Sequence, residues 1–470
     1  MGPMIQLRPQ FAMVCLPFAF LMGASFGQAD GPALGTQRIT QADIVGGSLS
    51  LRDIRLAGLR MFATPFNKLD GYGDGPMNPF DTTSPGGRPT LQGNGTFLRV
   101  NGLDAQTCME CHSVGSNATV PFTFAVGGVG GSNNNAIFQP RNIDVDDEGG
   151  SGFAAFDGRY INPPFLFGSG GVELLAAEMT EDLQGMLALA PTLPDVTMPL
   201  ETHGVSFGTL RFDSATQTMD LSGVEGIDAD LVVRPFGRKG EFATVRAFDI
   251  GAMQFHFGMQ PVEVVGAGVD DDQDGVVDEI GIGELSALHI FNTNLEHAEV
   301  RDWTLEARQG ADRFHQIGCA HCHTPKIDSR SRFLRYRFPE VETDPSQNEF
   351  LRVDLSTSPA RLEPKSGGGL SIYLLSDLKR HDMGPGLAES FGSVLDSHFV
   401  TARLWGVADT APYLHDGRAT TLTDAILAHG GEAQAARDAF AALDPTKQTQ
   451  ILTFLKRLRT PRSPARDLLH

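Results

Sequence analysis

Basic residues are scarce in this chain. Lysine and arginine number 37 against 57 aspartates and glutamates, so the 470 residues carry a formal net charge of −20. A field of that sign repels nucleic acid and anionic membrane surfaces, and it favours a cationic protein or an uncharged small molecule as partner. The composition therefore predicts a soluble globular protein that does not bind nucleic acid, and the length predicts two or more domains.

Long apolar runs are also lacking. The short apolar stretch at 11–26 follows Arg8 and leads into small residues before Asp30. This arrangement is typical of a signal peptide, and no later segment reaches the roughly 18 apolar residues of a membrane helix. We expect a signal peptide at 1–29, which removes Cys15, and a mature protein that is periplasmic or secreted without stable membrane insertion.

The four remaining cysteines fall in two Cys-x-x-Cys-His sequences, named here the first haem motif (residues 108–112) and the second haem motif (residues 319–323). Two thiols at this spacing reach the two vinyl groups on one edge of a porphyrin, and the adjacent histidine ligates the iron. The sequence therefore predicts two covalent haem c groups. Their ligands are Cys108, Cys111 and His112 for the first, and Cys319, Cys322 and His323 for the second.

Three other uses of paired cysteines fit this pattern less well. A four-cysteine zinc site needs two pairs that meet in space. A disulfide that closes a two-residue loop is strained and gains little loop entropy. A thioredoxin-like motif needs a βαβ setting that neither flank provides. None of the three requires a histidine directly after the second cysteine.

Each haem motif has an amphipathic helix upstream, at 51–62 and at 303–316, and a terminal helix begins at Pro445. The Gly/Pro/Asn-rich stretch at 67–101 predicts a long irregular insertion, and alternation at 203–235 predicts a hairpin or small sheet. By analogy with small cytochromes, we expect a mainly α protein with two cytochrome c-like haem domains and long loops. The N-terminal haem domain would cover 30–295, with its insertions and a small β insertion, and the C-terminal one 296–470.

A histidine on the segment at 412–431 is the candidate second ligand of the C-terminal haem. Thr421 is placed to cap a helix on which His429 continues an apolar stripe into the core. A buried imidazole needs a partner, either a hydrogen-bonding core group or a haem iron. A haem motif in the same half of the chain favours iron.

The chain resembles the di-haem oxidoreductases described as peroxidases, relatives of the bacterial di-haem cytochrome c peroxidases and of the di-haem enzymes that mature methylamine dehydrogenase. The resemblance rests on both haem motifs and on segments at 59–62, 66–67, 70–75, 381–385 (His-Asp-Met-Gly-Pro) and 413–418 (Tyr-Leu-His-Asp-Gly-Arg). It implies a first haem that reacts with peroxide or oxygen, and a second that stores or delivers electrons. A small cytochrome or cupredoxin would exchange electrons with it.

The resemblance also guides the choice of site residues. The peroxidases carry methionine where His429 stands, so the second haem is expected to be His323/His429 with a lower potential, and Met383 is the rival ligand. An acidic residue follows the segment at 163–168 in that family and lines the distal pocket. Glu173 is the match, and from there it can move a proton between the oxygens of peroxide.

Alternatives remain open around the first haem. Glu178 is the second choice for the acidic role, and either glutamate could be simply solvated. The sixth position of the first iron is expected to be open, while His203 and His256 are the nearest residues that could close it. Of the two tryptophans, Trp303 and Trp405, either could bridge the haems or serve core packing.

An acidic loop matches positions 1, 3, 5 and 9 of a calcium-binding loop. Position 12 would be Gly281, so Glu279 or Glu284 would have to supply the missing carboxylate. Alternating carboxylates repel one another unless a hard cation neutralises them, which predicts a structural Ca²⁺ site; a solvated acidic turn is the alternative. The matching residues are Asp270, Asp272, Asp274 and Asp278.

Three functions remain open from the sequence. The leading one is a peroxidase-like di-haem oxidoreductase. The others are a non-catalytic di-haem electron carrier, with both irons six-coordinate, and a di-haem oxygenase that cleaves an apolar polymer. The natural substrate, electron donor, potentials and oligomeric state are not specified by the sequence.

Overall fold

A computed structural model describes residues 31–73, 105–112, 114, 137–144, 155–163, 166–391, 394–462 and 464–469. The predicted signal peptide (1–29) and most of the predicted insertion (67–101) lie outside the described residues. Helices account for 36% of the structure and strands for 16%. Helix therefore exceeds strand, as expected, but by less than the term mainly α implies.

The α-helices are α1 (Gln41–Val45), α2 (Leu51–Ala63), α3 (Ser169–Leu189), α4 (Val245–Ala252), α5 (Val262–Val265), α6 (Ile282–Thr293), α7 (Leu305–Gln316), α8 (Leu422–Leu427), α9 (Gln434–Ala442), α10 (Pro445–Leu455) and α11 (Arg466–Leu469). A π-helical turn, Met253–Phe257, extends α4.

The strands form small antiparallel sheets in both halves of the chain. They are β1 (Ile137–Asp144) with β2 (Ala155–Ile161); β3 (Thr197–Thr202), β4 (Val205–Asp213) and β5 (Thr218–Asp220) in that order; β6 (Glu299–Val300) with β16 (Leu458–Arg459); β10 (Glu363–Pro364), β11 (Leu370–Ile372) and β7 (Ile327–Asp328) in that order; β8 (Phe333–Arg337) with β9 (Glu349–Asp354); β12 (Arg380–Asp382) with β15 (His398–Val400); and β13 (Glu389–Phe391) with β14 (Val394–Asp396). The hairpin predicted within 203–235 is confirmed as β4-β5, whereas β3 precedes that range and no strand forms between 221 and 235. The strands in the second half were not predicted.

The helices that precede the haem motifs are confirmed by the structure. Helix α2 begins after Ser50, whose hydroxyl accepts from the N–H of Asp53 in a capping box. Helix α7 begins after the N-cap Thr304, two residues later than predicted. Asp444 caps α10 as predicted, but α10 ends at Leu455, because Leu458 pairs in a short strand with Val300 instead of continuing the helix.

Two pairs of crossing helices organise the two halves. Helix α2 crosses α6 at Gly58, where a Cβ would lie only 2.1 Å from the carbonyl oxygen of Ala287. Helix α7 crosses α10 at Gly310, where a Cβ would lie 1.9 Å from the carbonyl oxygen of Gln450. Both pre-haem helices therefore use a glycine to bring two backbones into contact.

The core is divided into three clusters of buried apolar residues. One lies around α3 and the β3-β4-β5 sheet, one around α2, α6 and the first haem motif, and one around α7, α10 and the second haem motif. Among the described residues, none of the helices is both long and apolar enough to span a bilayer.

Candidate functional site

Both haem motifs adopt the same local backbone fold. Each begins with a 3₁₀ turn, Cys108–Glu110 and Cys319–His321. The N–H of the motif histidine then donates to the carbonyl oxygen of the first cysteine, at 2.9 Å for His112 and 3.0 Å for His323. Cysteines and histidine thus leave the same turn, which is the arrangement that haem attachment requires.

The alternative uses of the cysteines do not fit this geometry. All four thiols are free, so the structure contains no disulfide between them. The groups of described residues that could hold a metal ion are Cys322 with Asp377 and His381, and the aspartates 270, 272 and 274. Neither group combines cysteines of both motifs, as a four-cysteine zinc site would require.

An aromatic ring from the preceding helix packs near each motif histidine. The rings of Phe62 and His112 have centroids 6.4 Å apart, and those of Phe314 and His323 are 6.1 Å apart, both with tilted planes. The hydroxyl of Thr107 also donates to the carbonyl oxygen of Phe62 at 2.9 Å, which joins the first motif to the end of α2. Each pre-haem helix therefore positions its own motif.

His429 faces His323 across a gap of the size of one metal ion. Their ring centroids are 6.4 Å apart. A bond of about 2 Å from a metal to each imidazole nitrogen, with roughly 1 Å from each nitrogen to its ring centroid, spans about 6 Å. The two rings thus fit a single iron bound between them.

Hydrogen bonds orient both imidazoles for metal binding. Nδ1 of His323 donates to the carbonyl oxygen of Leu375 at 3.1 Å, and Nδ1 of His429 donates to that of Ala425 at 2.8 Å. The proton therefore lies on Nδ1, which leaves Nε2 as a lone-pair donor in each ring. Burial lowers the pKa of His323 to about 4 and also lowers the pKa of His429, so both are neutral at pH 7, the form that binds metal.

The segment after His429 is held by the turn at 381–385. His429 lies just beyond the end of α8 and not within it as the spacing suggested. A Cβ on Gly431 would lie 2.1 Å from the carbonyl oxygen of Asp382, and one on Gly430 would lie 2.9 Å from that of Met383. The glycine pair is therefore needed for the backbone directly after His429 to pack against this turn.

His381 connects the segment that orients His323 with the segment that follows His429. Its Nε2 lies 2.8 Å from a carboxylate oxygen of Asp377, and its Nδ1 lies 2.7 Å from one of Glu432. Asp377 is two residues beyond the carbonyl that orients His323, and Glu432 is three residues beyond His429. Burial lowers the pKa of His381, but bonds to Asp377, Cys322 and Glu432 outweigh it and raise the pKa to about 11. No role for His381 was predicted from the sequence.

Residues 364–458 match a family model described as "Di-haem oxidoreductase, putative peroxidase". The resemblance to di-haem oxidoreductases is confirmed. The matched range contains His381 and His429 but begins after both haem motifs. No curated protein matches the chain.

Two solved structures show distant likeness to this chain. Hydrazine synthase of Kuenenia stuttgartiensis is 18% identical with a TM-score of 0.24, over 38% of this chain and 56% of that chain. A MauG-like protein associated with microbial copper homeostasis is 15% identical with a TM-score of 0.28, over 54% of this chain and 78% of that chain. This chain thus spans little more than half the length of the hydrazine synthase chain.

Near the first haem motif, the structure identifies a carboxylate that the sequence did not. Burial raises the pKa of the Cys108 thiol, and the nearby carboxylate of Asp249, on α4, raises it further. Burial raises the pKa of Asp249 itself to about 8. Its Oδ1 accepts from Asn292 at 3.0 Å, while its Oδ2 is buried without a hydrogen-bond partner among the described residues. Such a carboxyl can hold a proton near neutral pH.

Glu173 is buried, which excludes a simple solvated role. Its carboxylate lies 2.9 Å from Nε2 of His289 and accepts from the N–H of Val245 at 2.8 Å. Burial raises the pKa of Glu173, but His289 and these hydrogen bonds outweigh it and hold the pKa below its ordinary value. Burial lowers the pKa of His289, but Glu173 outweighs it, so the two form an ion pair. Asp249 also interacts with both groups.

The alternatives named for the first haem occupy other positions. Glu178 accepts from the backbone N–H groups of Arg330 and Ser331, both at 2.7 Å. His203 lies 3.4 Å from Glu178, and its Nδ1 donates to the carbonyl of Asp328. Both therefore stabilise the contact between the β3-β4-β5 region and the second half. His256 lies in the π-helical turn beside Phe255 and Phe257.

The residue before the segment at 163–168 contacts the segment at 412–415. Asn162, directly before the first segment, donates from its N–H to the carbonyl of His415 at 2.8 Å and from its side chain to those of Pro412 and Leu414. A Cβ on Gly168 would lie 2.6 Å from the ring of Trp405, which is buried. Trp405 thus packs where the two halves join, whereas Trp303 is partly exposed and packs on Phe454.

Three of the four predicted calcium ligands converge. Carboxylate oxygens of Asp270, Asp272 and Asp274 lie within 4.8 Å of one another. Asp278 is outside this group, because its Oδ1 accepts from the N–H of Gly268. Burial, followed by repulsion from the three aspartates, raises the pKa of Glu279 to about 9. Glu279 rather than Glu284 is thus the fourth carboxylate near the group, since Glu284 pairs with Arg38.

Proposed function

We propose that this chain is an exported di-haem c-type oxidoreductase of the peroxidase kind, with a peroxide- or oxygen-reactive first haem and an electron-transfer second haem. The observation that carries the proposal is the 6.4 Å gap between the His323 and His429 rings, with both Nδ1 atoms tied to carbonyls. The common turn of the two haem motifs extends the assignment to the first haem. Haem iron, when bound, supplies one-electron redox chemistry.

The residues around the second haem suit electron transfer. His323 and His429 would hold the iron through two neutral imidazoles, and such a pair would give a lower potential than a His/Met pair. Because hydrogen bonds fix both imidazoles, the two rings need to move little when the charge on the iron changes. Trp405, packed at the junction of the two halves, is a candidate for the path between the haems.

The residues near the first haem suit proton handling. Asp249, with a pKa of about 8, can keep a proton on Oδ2 at neutral pH and would be able to release it near the first haem motif. Glu173 and His289 form a charged pair that interacts with Asp249 and can restore that proton. In this proposal Asp249 would contact the reacting atoms, and Glu173 would act through it.

The remaining expectations complete the proposal. A net charge of −20 favours a cationic small cytochrome or cupredoxin as the redox partner. The stretch at 11–26 would direct export, with a periplasmic or secreted mature protein. Asp270, Asp272, Asp274 and Glu279 would hold a structural Ca²⁺, since they are four carboxylates near one point.

The decisive experiment is a peroxide titration of the ferric protein, prepared in a host that attaches haem c, with an absorbance or EPR spectrum at each step. We expect one high-spin and one low-spin haem, and a rapid reaction with H₂O₂. Wholly low-spin spectra that ignore peroxide and oxygen would establish the electron carrier instead. Colourless protein would refute the haem assignment.

The ligand assignment is tested separately. His429→Ala should convert the second haem to high spin, and His398→Ala, at an exposed histidine in the same half, should leave the spectrum unchanged. A low-spin second haem in the His429 variant would direct attention to Met383.

A further inference from the structure

A cavity of about 420 Å³ lies between α3 and the β8-β9 hairpin, apart from both haem motifs. Four arginines of one short segment line it, in a chain whose net charge is strongly negative. Leu174 and Ala177 of α3 contribute an apolar part of the wall. The size is within the range of small-molecule sites. The four arginines are Arg330, Arg332, Arg335 and Arg337.

Three of these arginines are already paired. Arg330 binds Asp182 at 2.6 Å, Arg332 binds Asp354 at 2.9 Å, and Arg335 lies 3.8 Å from Glu349. Their side chains are between 37% and 49% exposed. They are ordinary surface ion pairs, worth little individually, and they form the outer part of the cavity.

Arg337 differs from them in both burial and pairing. Only 5% of the residue is exposed. Within the described part of the chain, its guanidinium has neither a hydrogen-bond acceptor nor a carboxylate within 4.0 Å, and its Nε is fully buried. An unpaired buried charge is costly, and burial lowers the pKa of Arg337.

The carboxylates nearest to Arg337 already have other partners. Glu173 binds His289 and the N–H of Val245, and Glu340 accepts from the hydroxyl of Thr244 at 2.5 Å. Both attract Arg337 only from a longer distance. Arg337 lines the cavity, and its Nε has no hydrogen-bond partner among the described residues. A ligand in the cavity can therefore supply the acceptor that the protein does not.

We propose that this cavity binds a small organic monocarboxylate, whose carboxylate pairs with Arg337 and whose apolar part packs on Leu174 and Ala177. A guanidinium binds a carboxylate through two parallel hydrogen bonds, a geometry that a buried planar group favours. Glu178 and Glu181 also line the cavity, and they would repel a more highly charged ligand. The carboxylate class thus fits better than a phosphate, and the inference does not depend on the haem assignment.

The test uses the whole haem-loaded protein with benzoate as the probe. At constant ionic strength, benzoate should raise the melting temperature with a saturable dose dependence, as a ligand specific for the folded state does, and calorimetry should give one site. Inorganic phosphate should bind at least tenfold more weakly. Absence of any benzoate response in the wild type would overturn the proposal and would assign Arg337 only a counter-charge role toward Glu173 and Glu340. Phosphate binding as tight as benzoate binding would overturn the carboxylate class.

Matched variants locate the site. Arg337→Gln should weaken benzoate binding at least tenfold, whereas Arg352→Gln, at an exposed and paired arginine of β9 outside the cavity lining, should keep it within twofold. Equal binding by the two variants would overturn the proposal. If Arg337→Gln does not fold, Arg337→Lys retains the charge without the two-pronged geometry, and an unchanged dissociation constant in that variant would equally overturn it.

Discussion

Replacing Gly310 by alanine is expected to destabilise the C-terminal half, although the same change normally strengthens a helix. The added Cβ would lie 1.9 Å from the carbonyl oxygen of Gln450 and 2.9 Å from the Cβ of Phe454, whereas ordinary contact begins at 3.4 Å. Helices α7 and α10 must therefore separate by about 1.5 Å at the crossing, and a gap of this order forfeits a large part of the dispersion energy of the surrounding contacts.

The magnitude follows from two opposing terms. Overpacking costs about 1–3 kcal/mol, and the backbone clash and the loosened contacts of Phe314 and Phe454 place this case at or above the upper end. Alanine in a helix interior recovers about 1 kcal/mol relative to glycine. The net loss should be about 2 kcal/mol, which corresponds to a fall of roughly 4–8 °C in the melting temperature of this half.

The chain offers a matched control at Gly185, in the C-terminal part of α3, where a Cβ would meet nothing within 4 Å. Gly185→Ala should be neutral or stabilise by up to about 1 kcal/mol. Melting is followed by far-ultraviolet circular dichroism and by Soret absorbance. Because Phe314 packs near His323, Gly310→Ala should also perturb the second haem spectrum. A Gly310 variant as stable as the wild type would refute the close helix crossing.

Three further predictions concern His381, Asp249 and the acidic loop at 270–279. His381→Gln should lower the free energy of unfolding by about 2 kcal/mol, from the range for hydrogen bonds to charged groups. It should also lower the reduction potential of the second haem, because it removes a cation beside it. An unchanged potential in a redox titration would contradict this placement of His381. The pKa of Asp249 is raised to about 8 in the folded state, so folding favours the protonated carboxyl. Its contribution to the free energy of unfolding is therefore complete below the unfolded pKa of 3.8 and is lost as pH rises through 8. Asp249→Asn should thus be more stable than the wild type at pH 9, with the difference shrinking toward pH 4 in denaturant titrations. Chelation of Ca²⁺ should lower the melting temperature of the wild type and of the control Asp271→Asn, whose side chain is exposed beside the site. It should not lower the melting temperature of Asp272→Asn, which lacks one of the ligands. Equal sensitivity of the two variants to chelation would count against the site.

The local elements were predictable because short-range signals encode them. Asp444 and Pro445 marked the start of α10, and the 3.6-residue period located α2 and α7, although α7 begins two residues later than predicted. His429 was found because it continues an apolar stripe. Its exact setting was not predictable, since the helix ends two residues earlier and the glycines that follow His429 pack against a turn from another part of the chain.

The missed features depend on contacts between residues far apart in sequence. Helix α6 is buried on nearly all sides, so it has no amphipathic period to mark the face that meets α2. His289 on this helix, Glu173 on α3 and Asp249 on α4 meet only in the folded chain. The many strands of two or three residues in the second half are too short to show alternation.

The two halves share one construction and differ in what accompanies the motif histidine. In each half a helix crosses its partner at a glycine, packs a phenylalanine near the motif histidine and leads to the same cysteine turn. In the second half, a neutral imidazole stands 6.4 Å across from His323. In the first, a carboxyl with a pKa of about 8 lies near Cys108, linked to a buried ion pair. The half with two imidazoles suits electron storage, and the half with a protonated carboxyl suits oxygen chemistry that consumes protons. This asymmetry favours the proposed enzyme over an electron carrier, because a carrier does not need a buried proton donor at only one of its haems.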